Sequence, residues 1–329
     1  MHRLLLAPLV ALLALAAAPP VALAFPDRPI TFVTGYAPGG STDIAARILA
    51  ERLGANLGRE ARVVVENRPG AAGIVASEWL KRQAPDGHTI MLVESSSHAI
   101  APAALVGGTR YNPVEDYSHL GIIGTAPLIL VVNKDFPATT APEVLARLRA
   151  APPDTFTYAT SGVGAIVHLA PEMLALDLKT RFVHVPYRSG GQMLTAIFQG
   201  EGQFGIAVLA SAAQQVRDGM VRGIAVTGNR RSPSFPDLPT LAEAGVPGYE
   251  MTTWNILLGP PNMPAAVQAA LNQALVASLA EPALRQRLLT AGVEAWTAPN
   301  SPAEAREFLV REVAKFRTVV ERTGVKLEP

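Results

Sequence analysis

Two turns of the same construction, far apart in the chain, constrain its fold more than anything else in it. The first is Tyr36-Ala37-Pro38-Gly39-Gly40-Ser41-Thr42-Asp43. The run Ile30-Thr31-Phe32-Val33-Thr34 precedes it, and Ile44, Ile48, Leu49, Leu53 and Leu57 follow at spacings that keep them on one helical face. The second is Thr160-Ser161-Gly162-Val163-Gly164-Ala165. It is entered from Thr155-Phe156-Thr157-Tyr158-Ala159 and left through Ile166, Leu169, Met173 and Leu174. Each reads as a strand, a glycine turn and a helix N-terminus. A helix start offers backbone N–H groups without intrahelical partners at the positive end of the dipole, so it can receive an anion without a cationic side chain. Gly39 and Gly40 let a ligand approach the backbone. Ser41, Thr42 and Asp43 are residue types of caps and first turns. Neither turn contains Lys or Arg. Alone, each would be an ordinary βα connection with a good cap; together they read as two jaws around one ligand.

Between and beyond them the same alternation continues. Strands are expected at 62–66, 89–93, 128–132, 182–185, 204–209, 223–227 and 253–258. Helices are expected at 71–83, 141–150, around Met193 to Phe198, at 212–216, and at 264–280, 282–291 and 302–323. Strands alternating with helices imply an α/β fold with mostly parallel sheets covered on both faces. Ligands in such sheets bind beyond the carboxyl ends of strands. Glu94, Ser95 and Ser96 follow the run 89–93 and form a further candidate site segment, with a solvated loop as the competing reading. Pro171, inside a helical pattern, predicts a kink or a new turn. The Pro/Gly-rich 236–249 reads as a crossover between domains, with a short helix at Leu241-Ala242-Glu243-Ala244.

The chain opens with Met1-His2-Arg3, an apolar run to Ala18, Pro19-Pro20 and Ala22-Leu23-Ala24, the pattern of a signal peptide over 1–24 with cleavage before Phe25. The 28 basic residues include Arg3 of that segment, and the other 27 match the 27 acidic ones. A balanced charge speaks against a nucleic-acid partner and against a polybasic membrane patch. There is no Cys, hence no disulfide and no lipoprotein anchor. The roughly 305 residues after the leader exceed the usual single-domain size, so two domains are expected.

No metal-ligand spacing, phosphate-binding glycine motif or nucleophile elbow is present, so no metal, no cofactor and no catalytic residue is assigned. Ser161 with His168 two helical turns on could be read as nucleophile and base. A first-turn serine and a structural histidine is the preferred reading, because nothing supplies an orienting acid. His88, His98, His119 and His184 are read as surface or satisfied groups.

Several segments, in order along the whole chain after the leader, resemble one family. They are Phe25-Pro26-Asp27-Arg28-Pro29-Ile30, the first turn, Val65-Glu66-Asn67-Arg68-Pro69-Gly70, Ala84-Pro85-Asp86-Gly87, His98-Ala99-Ile100, His184-Val185-Pro186-Tyr187-Arg188 and Pro239-Thr240-Leu241-Ala242-Glu243-Ala244-Gly245. The resemblance is to the Bug (TctC-type) periplasmic solute-binding receptors of tripartite tricarboxylate transporters. It implies a two-domain Venus-flytrap fold with two crossovers, dividing 25–125 plus 250–329 from 126–249. It implies a periplasmic, monomeric receptor, not an enzyme, that binds a small organic acid by one carboxylate between the two turns and delivers it to a membrane permease. A co-receptor for a periplasmic sensor domain and, more remotely, a serine hydrolase are the alternatives. Tyr187, Arg188, Gln203 and Ala207 join the site through the same resemblance. The chain departs from the family at Ser189, usually Gly, and at Gln203 and Ala207, where two acids often found in the family are missing. An amino-acid ligand is therefore not expected. Glu94 adds an acid at a strand end, and an ionised Glu94 would penalise a dicarboxylate beside it.

Overall fold

A computed structural model describes residues 25–58 and 61–327; the expected leader, 1–24, lies outside the described residues. In chain order the first elements are β1 (Ile30–Thr34), α1 (Ser41–Leu57), β2 (Val63–Asn67), α2 (Ile74–Leu80), β3 (Thr89–Glu94), α3 (Ala101–Ala104) and β4 (Ser118–Asn133). They continue with α4 (Ala141–Ala150), β5 (Thr157–Thr160), α5 (Ile166–Leu178), β6 (Val183–Pro186), α6 (Gly190–Gln199), β7 (Phe204–Val208), α7 (Leu209–Arg217) and β8 (Val221–Val226). The last are β9 (Thr252–Gly259), α8 (Ala265–Ala280), α9 (Pro282–Thr290), β10 (Glu294–Ala295) and α10 (Pro302–Thr323).

The strands hydrogen-bond in the order β2-β1-β3-β9-β4-β7-β5-β6. At one end of this order β1 lies between β2 and β3, parallel to both. At the other, β5 lies parallel between β6 and β7. Ile30, Phe32, Val33 and Ile90 to Val93 are all essentially inaccessible. Their lack of a period-two pattern follows from helices on both faces of the sheet. The centre is antiparallel instead: β9 pairs with β3 and β4, and β4 with β7 and β8. This mixture has a topological cause, since β4 and β9 carry the chain from one end of the order to the other and back.

β4 is the longer of the crossing strands. Residues 118–127 pair with β9, and from Leu128 onward the partners are β7 and β8. Only its second half is legible as a strand. Gly121 and Gly124 hide the rest, and packing explains them: a Cβ on Gly121 would come 2.6 Å from Leu275 on α8, and one on Gly124 2.4 Å from the Glu294 carbonyl of β10.

Three expectations are corrected. The helix expected from Ala71 begins at Ile74, after a 3₁₀ turn at Ala71–Gly73. Ala71 and Ala72 sit at φ 44 and 51°, and a Cβ on Gly35 would lie 2.8 Å from the Gly73 Cα. The backbone here presses against the first turn, and the helix starts once past it. Second, α5 runs through Pro171 as one helix. The short helix expected at 241–244 is a turn, with Thr240 and Glu243 each accepting from the other's backbone N–H.

Candidate functional site

Because β5, β6 and β7 are parallel neighbours, the helices that follow them start from one edge of the sheet. α1, which follows β1, starts opposite them. Residues from all four N-termini line a cavity of about 40 Å³: Gly40 and Ser41 of α1, Ala165 and Ile166 of α5, Gly190 of α6, and Val208 and Ser211 of α7. Tyr36, Glu94, Ser96, Ser161 and Ala207 complete it, and no Lys or Arg lines it. α1, α5 and α7 have no side-chain cap, so their first N–H groups point inward unsatisfied by side chains of their own. Only α6 is capped, by Ser189 accepting from the Gln192 N–H. One α5 donor reaches across the cleft, from Ile166 N to Ser96 Oγ at 3.0 Å.

Outside this cavity lies a groove of about 1050 Å³, lined mainly by apolar groups of Ala71, Ala72, Val106, Val163 and Leu327, with Tyr187 and Arg188 on the other bank. Tyr36 and Ser161 line both spaces, so they form the passage between them.

Each turn is held by side chains that do not themselves line the cavity. In the first, the buried Asp43 carboxylate accepts from Gly39 N at 2.9 Å, Arg47 Nε at 3.0 Å and Asn67 Nδ2 at 2.9 Å. Burial alone would raise its pKa. The hydrogen bonds from Arg47, Gly39 and Asn67 outweigh burial and hold it below the ordinary carboxylate value. Asp43 fixes the turn while leaving the helix start free.

In the second turn two imidazoles do this work. His184 Nε2 meets Thr160 Oγ1 at 2.7 Å, and His168 Nδ1 accepts from Gly164 N at 3.2 Å. The rings stack with centroids 4.2 Å apart, and Tyr158 stacks on His184 and bonds Glu172 through its hydroxyl. A ring nitrogen that accepts cannot carry a proton. Burial, with His168 alongside, lowers the His184 pKa to about 4. Burial also lowers that of His168. His168 is thus committed to the backbone and not to Ser161, which leaves a Ser161–His168 dyad without its base.

Of the residues assigned from the sequence, Tyr36, Gly40, Ser41, Glu94, Ser96, Ser161, Ala165 and Ala207 meet at the inner cavity, and Gly162, Val163, Tyr187 and Arg188 at the outer groove. Asp43, Thr160 and Gly164 take part in the bonds that hold the turns, Thr42 is buried with no partner for its hydroxyl among the described residues, and Pro38 and Gly39 are exposed. Ser95 faces away and bonds Thr253 Oγ1 at 2.8 Å. Gln203 is corrected outright: its Oε1 accepts from Thr157 N at 2.6 Å, at the start of β5 and so at the far end of the sheet from the cavity. The segment after β3 is not a solvated loop, since residues 94–101 are buried. His98 is also corrected. It is not at the surface and only half satisfied: it is fully buried, Nδ1 meets Ser97 Oγ at 3.0 Å, Nε2 has no partner among the described residues, and burial pushes its pKa down to about 3. The contributions of α6 and α7 were missed. Ser189-Gly190-Gly191 carries the same strand–glycine–helix signal as the first turn; Val208 and Ser211 carry none.

The profile described as "Tripartite tricarboxylate transporter family receptor" (TctC) matches residues 45–325. The chain belongs to this family. It is 30% identical over 312 residues to Protein BugT of Bordetella pertussis, covering 95% of this chain and 94% of that one. The fold superposes on Rpa4515 of R. palustris, solved with adipate, at a TM-score of 0.87 and 28% identity, covering 93% of this chain and all of that one. MatC of Rhodopseudomonas palustris, solved with bound malate, gives a TM-score of 0.82 at 28% identity, covering 90% and 100%. The chain is a solute-binding receptor of the TctC type, with the α/β architecture of periplasmic binding proteins.

Proposed function

We propose that the protein works in the periplasm, where it captures a small organic acid by a carboxylate and delivers it to a tripartite tricarboxylate-type permease. The observation that carries the reading is the convergence of four helix N-termini on one small cavity without a cationic side chain. Backbone donors there can hold an anion by charge-assisted hydrogen bonds. They leave the rest of the ligand to the apolar groove beyond Tyr36 and Ser161. Adipate and malate, with which two structural relatives were solved, support the ligand class.

The two lobes, 25–125 plus 250–329 and 126–249, are the moving bodies of this reading. They swing about the crossings near Pro127 and Met251, and a ligand drives closure by preferring the closed state. The test is a thermal-shift screen with mono-, di- and tricarboxylates after unfolding and refolding to strip carried-over ligand. A ligand at about 100 times its dissociation constant adds about 2.7 kcal/mol, which raises the melting temperature of a chain this long by about 4 °C. Ser161→Asp places a like charge at the passage and should cost any bound carboxylate at least about tenfold in affinity. Equal binding by the variant would rule the carboxylate position out.

A further inference from the structure

Glu94 is the residue of the cavity that the carboxylate reading does not explain. Its side chain is 4% exposed and forms no ion pair among the described residues. The titratable group facing it is Tyr36, from the first turn, with Tyr111 beyond. Its other neighbours are the hydroxyls of Ser96 and, from β9, Thr253. No cation therefore offsets a charge on it.

The proton count around Tyr36 points the same way. The Tyr36 hydroxyl lies 3.0 Å from the Ala72 carbonyl oxygen and within hydrogen-bond reach of Glu94 Oε1. A hydroxyl has one proton and cannot donate to both. If Glu94 is ionised, one of the two contacts opposes lone pairs. With a proton on Glu94, its O–H donates to Tyr36 Oη and the Tyr36 O–H donates to Ala72, so both contacts become hydrogen bonds. The Ala72 carbonyl is held there by a left-handed backbone at φ 51°. Desolvation acts in the same direction and raises the Glu94 pKa above the ordinary carboxylate value.

The cavity is small, about 40 Å³, and Glu94 lines it together with the starts of α1, α5, α6 and α7. A carboxylate placed among those helix N-termini lies beside Glu94. Two carboxylates in contact cannot both be ionised. We propose that carboxylate capture by this receptor is coupled to a proton: Glu94 is a neutral acid whose O–H is engaged by Tyr36, and the anion is held only while that proton removes the like charge beside it. The proposal rests on the carboxylate reading above. It assigns Glu94 as a residue that sets both specificity and pH response. A ligand ammonium group would gain nothing from a neutral Glu94, whereas a carboxylate escapes the repulsion of an ionised one.

The test uses the purified protein with acetate and adipate as probes, by calorimetry in buffers of different ionisation enthalpy between about pH 5 and 9. An infrared spectrum of the unliganded protein accompanies it. Above the Glu94 pKa the expected result is one proton taken up per anion bound and an affinity that falls about tenfold per pH unit. Glu94→Gln, which keeps the shape of the neutral acid, should bind with no proton uptake and no such slope. The carbonyl stretch of a protonated carboxyl should be present in the wild type near neutral pH and absent from the variant. Carboxylate binding by the wild type without proton uptake, or tighter binding of β-alanine than of propionate, would overturn the proposal. If neither probe binds either protein, the carboxylate reading fails and the coupling with it. The infrared band would still report whether Glu94 is neutral, so the two failures are told apart.

Discussion

At the scale of single residues, the site is governed by groups whose protonation is set by what they support. Asp43 accepts three hydrogen bonds with almost no exposure. Replacing it by Asn puts a donor where an acceptor is needed and leaves Gly39 N or Asn67 Nδ2 unpaired. A loss of about 1–3 kcal/mol at neutral pH is expected. Since its folded pKa is depressed, the wild type's advantage is present above the ordinary Asp value of 3.8 and lost as pH falls through the folded value. Urea unfolding of both proteins at neutral and at acid pH should show the gap closing in acid.

The stacked imidazoles act in the same direction, at a higher pH. Burial, with His168 alongside, lowers the His184 pKa from the ordinary 6.5 to about 4, so this loss adds to that from Asp43 in acid. Between those values the unfolded chain binds more protons, so stability should fall as pH drops from 6.5 toward 4. A melting series should show this decline, and it should be shallower in His184→Gln. The sequence names Asp43, Thr160 and Gly164 as members of the turns. It does not separate residues that face the ligand from those that face the scaffold, because that depends on partners such as Asn67 and His184, 24 residues away in each case.

At the scale of elements, glycines divide into those that need their backbone and those that need their space. Gly39 has φ 82° and nothing within 4 Å of where a Cβ would be; Gly164 has φ 80°, and its Cβ would lie 2.4 Å from Leu327. Gly39→Ala should therefore carry only the left-handed backbone cost, about 1 kcal/mol. Gly164→Ala carries that cost and an overlap with a packed side chain, typically a further 1–3 kcal/mol. If so, Leu327→Ala should recover part of the loss in the Gly164 variant and none in the Gly39 variant, measured as a double-mutant cycle by denaturant unfolding. The helices 265–280, 282–290 and 302–323 are legible almost to the residue, since Pro264, Pro282 and Pro302 mark their starts. The first half of β4 is illegible for a matching reason. Its glycines are chosen for the approach of α8 and β10, and a strand signal built on β-branched residues is lost there.

At the scale of the whole molecule, the paired turns name two segments that line one cavity, but they do not reveal that four helix starts meet there. That convergence needs the order β7-β5-β6, and strand order is set by contacts distant in sequence. The lobes are joined where the crossing strands pass Thr227, which is fully buried. Its Oγ1 accepts from Leu128 N at 2.8 Å and donates to the Met251 carbonyl at 2.5 Å. Its backbone accepts from Met251 N at 2.9 Å and donates to the Leu128 carbonyl at 2.9 Å. One threonine thus ties both crossings together at the point where β4 changes lobes. Thr227→Val keeps the shape and removes the hydroxyl, leaving the Leu128 N–H and Met251 carbonyl without that partner. The expected loss is about 1–3 kcal/mol per unpaired group. A purely structural tie would lower the melting temperature and leave affinity alone. A tie at the axis of closure also changes the balance between open and closed forms, and affinity follows the closed population. In the Thr227→Val protein, X-ray scattering with and without saturating adipate should then show a radius of gyration shifted from the wild type's in one of the two states. The dissociation constant should move with it. A lowered melting temperature with both scattering curves and affinity unchanged would place the axis elsewhere.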